Sequence, residues 1–326
     1  ISRGALGEAL GQLFVEKNFS ITARKKVNEM VDNITLVFEE RISKLDWMSD
    51  ETKVKAQEKL ASFSRKLGFP DKWKDFSSIK VLRNNFGQTM RNISEFKIQE
   101  SIAKLDKPVN KEEWFMSPQT VNAYYSPNNN EIVFPAGIMQ QPFFSENFED
   151  AVNYARMGAV IGHELTHGFD DNGSKFDASG RMQNWWTKED RDKFEAKTQL
   201  LINQYSSIEA LEGVFINGKL TLGENIADLG GLTIAYYAYL KSMEGKEKEV
   251  INGYTPEQRF FMAFGQIWQN NIRDAELINR VDTDSHSPGK YRVNATLANM
   301  PEFFEAFRVE EGDPMRQPAD KIARIW

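Results

Sequence analysis

The chain has no cysteine, which removes disulfides, thiolate metal ligands and cysteine nucleophiles together. Histidine is scarce, at three residues, so a metal site must be built from a few imidazoles and from carboxylates. Basic charge is in deficit: 41 Lys and Arg stand against 47 Asp and Glu. The two signs are interspersed, and no basic face is left for a nucleic-acid backbone. No run approaches the roughly 18 apolar residues that cross a bilayer, so no membrane contact is expected from this chain. Ile1-Ser2-Arg3-Gly4 offers neither a signal core nor an initiator methionine, and the expectation is that Ile1 is a cut end. Two common nucleophile and nucleotide signatures, Gly-x-Ser-x-Gly and Gly-x-Gly-x-x-Gly, are missing as well. Gly213 to Leu220 approaches a phosphate-binding loop, but Leu220 stands where the magnesium ligand is required, and Asn217-Gly218 is expected to be a hairpin turn.

What remains is a globular composition, 40% hydrophobic and 27% charged over 326 residues. Val27, Val31, Ile34, Phe38, Ile42 and Leu45 recur at helical steps and predict one long amphipathic helix between about Ile21 and Trp47. A second helix is expected from Ser49-Asp50 to the stop at Gly68 and Pro70, and a third from about Ile79 to Leu105. After Pro108, Val121 to Tyr125 and Glu131 to Phe134 predict two strands joined by a turn. Helical periods return at roughly 148–169, 187–206, 222–242 and 256–273, before a tail with Pro288, Pro301, Pro314 and Pro318 that is expected to be mostly loop.

His163-Glu164-Leu165-Thr166-His167 is the informative segment. On a helix, residues four apart project from one face, so both imidazoles can grip one ion while Glu164 faces an open coordination position. The bland alternative is a core helix that ends in polar residues. The extension with a third downstream histidine is absent, since Asp170 and Gly173 occupy those places. Thr221-Leu222-Gly223-Glu224 to Asp228 offers carboxylates at Glu224 and Asp228 with the spacing of a ligand and its orienter. It also reads as a capping box, which would be sufficient reason for Glu224. Zinc histidines usually donate their second nitrogen to a carboxylate, for which Asp228, Asp170 and Asp171 are candidates.

With these segments in view, the sequence resembles the neprilysin-type zinc metallopeptidases, which include endothelin-converting enzymes and bacterial endopeptidases called PepO. The resemblance is carried by Val121-Asn122-Ala123-Tyr124-Tyr125, Ile132 to Ile138, Gly162 to Gly173, Leu222 to Asp228 and Asp284 to Val293, in the family's order. It implies a mainly helical α+β, zincin-like (thermolysin-like) fold with a small sheet. It implies His163, His167 and Glu224 as ligands of one Zn2+ per chain, Glu164 as general base, Asp228 as orienter and His286 as oxyanion donor. Without the resemblance, His286 would read as an exposed loop residue. Asn122 and Ala123 would hold the substrate backbone, Arg292 a substrate carbonyl, and Ile138, Phe143, Val160, Ile267 and Trp268 the side chain after the cut.

The activity so implied is that of a gluzincin metalloendopeptidase cleaving oligopeptides on the amino side of hydrophobic residues. Residues 1–106 are expected to form a helical lid, linker and support region, and 107–326 the catalytic region. The vertebrate enzymes have cysteines where Gln269 and Ala323 stand here, which suits a bacterial source; the resemblance alone implies a cell-envelope location, with the cytoplasm as alternative. Family members carry several hundred further residues upstream. The expected partner is therefore the N-terminal half of the same precursor, held without covalent links. A non-catalytic peptide-binding or scaffold fragment is the competing reading, although such a module has no need of Glu164.

Overall fold

The computed structural model describes Gly4 and residues 6–326. Helix α1 (Gly7–Asn18) leads into α2 (Ile21–Lys44), which begins where the Ser20 hydroxyl accepts the Ala23 N–H at 2.9 Å. The apolar stripe of α2 is buried within the chain itself: Val27, Val31, Ile34, Phe38 and Ile42 are at most 2% exposed. The second helix is shorter than its sequence suggests. α3 (Asp50–Ala61) stops before a strand, β1 (Ser64–Gly68), and α4 (Phe86–Ile102) follows.

Strands β2 (Tyr124–Ser126) and β3 (Glu131–Pro135) complete a three-stranded sheet ordered β1-β3-β2. β1 runs parallel to β3, pairing Ser64 with Glu131 through Gly68 with Pro135, and β2 runs antiparallel, pairing Tyr124 with Val133. Every residue of the central strand β3 is buried, whereas β2 has a partner on one side only. Its other edge meets the cleft described below.

A short helix α5 (Asp150–Asn153) passes through a π-helical turn (Tyr154–Gly158) into α6 (Ala159–His167). α7 (Lys188–Ser206) is followed by a small hairpin, β4 (Glu209–Leu211) and β5 (Val214–Phe215), whose turn is Glu212-Gly213 and not the expected Asn217-Gly218; Gly213 supplies the positive φ of +74°. α8 (Leu222–Ser242) is buried on every face over most of its length, which marks it as the core helix. α2, α6, α7 and α11 pack around it. The expected loop-rich tail instead holds α10 (Asp274–Thr283), α11 (Gly289–Leu297) and α12 (Pro301–Phe307), after α9 (Pro256–Ile267). Pro301 occupies the first turn of α12 and Pro288 caps α11. Both prolines start helices, where a missing N–H costs nothing. Among the described residues no helix is long and apolar enough to cross a membrane.

Candidate metal centre

Helices α6 and α8 touch backbone to backbone. A Cβ on Gly162 would lie 2.4 Å from the Gly231 carbonyl oxygen, and one on Gly231 would lie 2.3 Å from the His163 nitrogen. Only glycine at both positions permits this approach, which sets the first turns of α8 beside the His163 and His167 face of α6.

The Nε2 atoms of His163 and His167 are 2.9 Å apart, and Glu224 Oε2 lies 3.1 Å from the first and 3.5 Å from the second. Ligand atoms of all three residues fall within 4.8 Å of one another. Each imidazole turns its other nitrogen to a carboxylate: His163 Nδ1 lies 2.9 Å from Asp228 Oδ1, and His167 Nδ1 lies 2.7 Å from Asp170 Oδ2. Those partners favour hydrogen on Nδ1, which leaves the two Nε2 lone pairs aimed at one spot. Glu224 Oε2 is buried there without a hydrogen bond of good geometry. Two nitrogen lone pairs and an orphaned carboxylate oxygen repel one another unless a cation sits among them, and this donor set suits zinc.

Electrostatics agree. Burial opposes ionisation of Glu224, but the two histidines outweigh it and hold the carboxyl well below the usual carboxylate range. Burial also opposes a charge on His167, yet Asp170 and Glu224 raise its pKa well above the ordinary value. A metal ion therefore competes with protons at this spot. Thr221 does not cap α8 through its side chain; its hydroxyl instead donates to the Asn217 carbonyl and accepts from Asn225 Nδ2. The capping-box explanation of Glu224 thereby falls away.

Glu164 is buried at the cleft wall, and burial raises its carboxyl above the ordinary value. His286 projects from the loop between α10 and α11, with Nε2 3.2 Å from Glu224 Oε2. Asp284 Oδ1 receives both the His286 N–H and the contact of its Nδ1, at 2.9 and 2.8 Å. Ser287 ties the same loop to α8 by donating to Asn225 Oδ1. Arg292 is buried and forks onto Asp228, with Nε 2.7 Å from Oδ2 and Nη2 2.6 Å from Oδ1, while its guanidinium lies 3.9 Å from the centre of the Trp268 ring. Asp228 thus receives both His163 and Arg292. Burial resists its ionisation, but the Arg292 charge and these bonds lower its pKa.

These residues line one cleft of about 620 Å³. Asn122 and Ala123, just ahead of β2, form one rim, and Ile138, Phe143, Val160, Ile267 and Trp268 supply an apolar wall. Tyr125 and Phe176 line it too, although sequence reasoning did not single them out. Aromatic residues carry no mark of a cleft until the chain folds.

A model described as Peptidase family M13 matches residues 122–322, and the family's N-terminal model matches residues 2–70. The chain is 36% identical to Neprilysin-3 of Drosophila melanogaster over 100% of its own length and 42% of that protein. It is 38% identical to human Endothelin-converting enzyme-like 1 over 98% of its length and 42% of that protein. An inhibitor-bound Mycobacterium tuberculosis zinc metalloprotease, Zmp1, superposes with a TM-score of 0.93 at 42% identity, covering 99% of this chain and 50% of that one. PepO from Lactobacillus rhamnosis superposes with a TM-score of 0.88 at 30% identity, again over 99% of this chain and 50% of that one. The chain spans half or less of these relatives, which come from animals and bacteria alike. By sequence over nearly its whole length, and by fold, the chain belongs to peptidase family M13.

Proposed function

We propose that this chain is the catalytic portion of a zinc metalloendopeptidase that cuts oligopeptides on the amino side of hydrophobic residues. The reading rests on one observation: His163, His167 and Glu224 turn their ligand atoms to one spot at a cleft wall that also carries Glu164. A single zinc ion held there would polarise the scissile carbonyl and acidify a water molecule. Glu164 accepts a proton from the attacking water and returns it to the leaving amine, a role suited to a carboxylate whose affinity for protons is raised by burial. His286, held by Asp284, donates to the carbonyl oxygen as it gains charge. Asp228 keeps His163 in the tautomer that leaves Nε2 free.

Asn122 and Ala123 adjoin the free edge of β2, where an extended peptide adds main-chain hydrogen bonds. Arg292 spends Nε and Nη2 on Asp228 and keeps Nη1 for a substrate carbonyl. Ile138, Phe143, Val160, Ile267 and Trp268 receive the hydrophobic side chain that follows the cut. Within residues 1–106, α2 and β1 support the catalytic region 107–326, α2 by packing against α8 and β1 by pairing with β3. A bacterial source is favoured by 42% identity to the mycobacterial protein, and an extracytoplasmic setting rests on the family resemblance alone.

Elemental analysis should find one zinc per chain, and chelation should abolish peptide cleavage until zinc is returned. Active protein without metal would end the argument. Glu224→Ala should lose the ion with little other damage, since the helix start does not depend on that side chain; retained zinc would remove Glu224 from the ligand set.

A further inference from the structure

Lys59 lies on α3, outside the cleft lining, and is only 1% exposed. Burying an ammonium is costly unless each of its protons is bonded. Here all three are spent on main-chain carbonyl oxygens: Gly168 at 2.6 Å, Gly173 at 2.7 Å and Phe176 at 2.7 Å. These carbonyls mark the start, middle and end of the loop that leaves the metal-binding helix. The first belongs to the C-cap of α6, where a cation also suits the unpaired carbonyls of the helix end.

The pinned loop carries Asp170. Its Oδ2 faces His167 Nδ1, while its Oδ1 receives the N–H groups of Asn172 and Gly173 at 2.8 and 2.6 Å. The loop folds back so tightly that a Cβ on Gly173 would lie 1.8 Å from the His167 carbonyl oxygen. On its other side, the Lys59 carbonyl accepts from Asn130 Nδ2, whose side-chain oxygen accepts from the Tyr125 hydroxyl. α3 therefore braces both the Asp170 loop and the turn after β2.

We infer that Lys59 is a positioning residue of the metal centre: it touches neither ion nor substrate, but fixes the 168–176 loop so that Asp170 orients His167. The inference builds on the metallopeptidase reading and deepens it. It is tested by zinc dissociation constants, measured by chelator competition on natively purified protein, together with the visible spectrum of the cobalt-substituted form. Lys59→Met should raise the zinc dissociation constant about 10–100-fold, the usual loss when support behind a ligand is removed. The cobalt bands should change while far-ultraviolet circular dichroism stays native. Lys59→Gln, which keeps two N–H donors, should lose less.

Because Lys59 acts through Asp170, the double variant Lys59→Met/Asp170→Asn should bind zinc no more weakly than Asp170→Asn alone. Additive losses, or an unchanged zinc constant and cobalt spectrum in Lys59→Met, would overturn the inference. So would loss of the fold in both Lys59→Met and Lys59→Gln, which would make the residue a plain folding element. Failure of the unaltered protein to bind zinc would instead fall on the metallopeptidase reading.

Discussion

Glu164→Gln exchanges one oxygen for an amide nitrogen of nearly the same size, so it separates holding a substrate from transforming it. Zinc content and peptide affinity should stay within about twofold, while turnover drops roughly a hundredfold or more, the usual share of a general base. Parallel measurement of bound peptide and of single-turnover cleavage decides it, and unimpaired turnover would dismiss Glu164 as the base. His163, Glu164 and His167 are legible in the sequence because their chemistry is encoded in local helical spacing. Glu224 was ambiguous until Thr221 proved to bond elsewhere. Which carboxylate serves which histidine was not legible at all. Asp170 faces His167 and Asp228 faces His163 because of the 168–176 loop and the glycine contact between α6 and α8, and neither leaves a local pattern. Lys59 was invisible for a similar reason: a lysine on an amphipathic helix reads as solvent-facing until three carbonyls close on it.

Asp190 shows how elements are joined behind the site. At 1% exposure its carboxylate receives the Ser49 N–H at 3.1 Å and the Thr52 hydroxyl at 2.6 Å, so the first turn of α7 is bonded to the N-terminus of α3. Burial resists ionisation, but the Ser49, Thr52 and Thr187 bonds outweigh it and lower the carboxyl pKa. A lowered folded-state pKa means that the stabilisation is complete above the unfolded value, about 3.9, and drains away as pH falls through the folded one. Asp190→Ala should cost about 3 kcal/mol at pH 7, since it strands buried donors. In urea unfolding, the gap between variant and parent should narrow towards pH 3; a gap independent of pH would show that the charge is irrelevant. At this scale the long helices were readable because burial follows their period. β1 reads in sequence as the end of a helix because Ser64-Arg65-Lys66-Leu67-Gly68 has no local strand signal and owes its state to pairing with β3, far along the chain. α11 and α12 are hidden in the sequence because Pro288 and Pro301, which start them, also read as loop residues.

Over the whole molecule, apolar surface is unevenly covered. The apolar stripe of α2 is closed by the chain's own helices. A run of exposed apolar residues lies on α4 and the segment after it. α4 buries only Thr89 and Ile93, while Ile98, Ile102, Leu105, Val109 and Phe115 are 52–79% exposed. Residues 71–121, which contain them, fall between the two family matches. Exposed apolar side chains recurring along one segment favour association over solvation. We propose as the partner of this face the part of the relatives' length that this chain does not span, with no disulfide to this chain since it has no cysteine. If the partner also encloses the cleft, the assembly should cleave short unstructured peptides and leave folded proteins intact. The isolated chain should aggregate, and adding the partner should raise its thermal stability by mass action. Native mass spectrometry of purified active material is the direct measurement: a companion polypeptide is expected, and a soluble, fully active monomer of 37.4 kDa would rule the partner out.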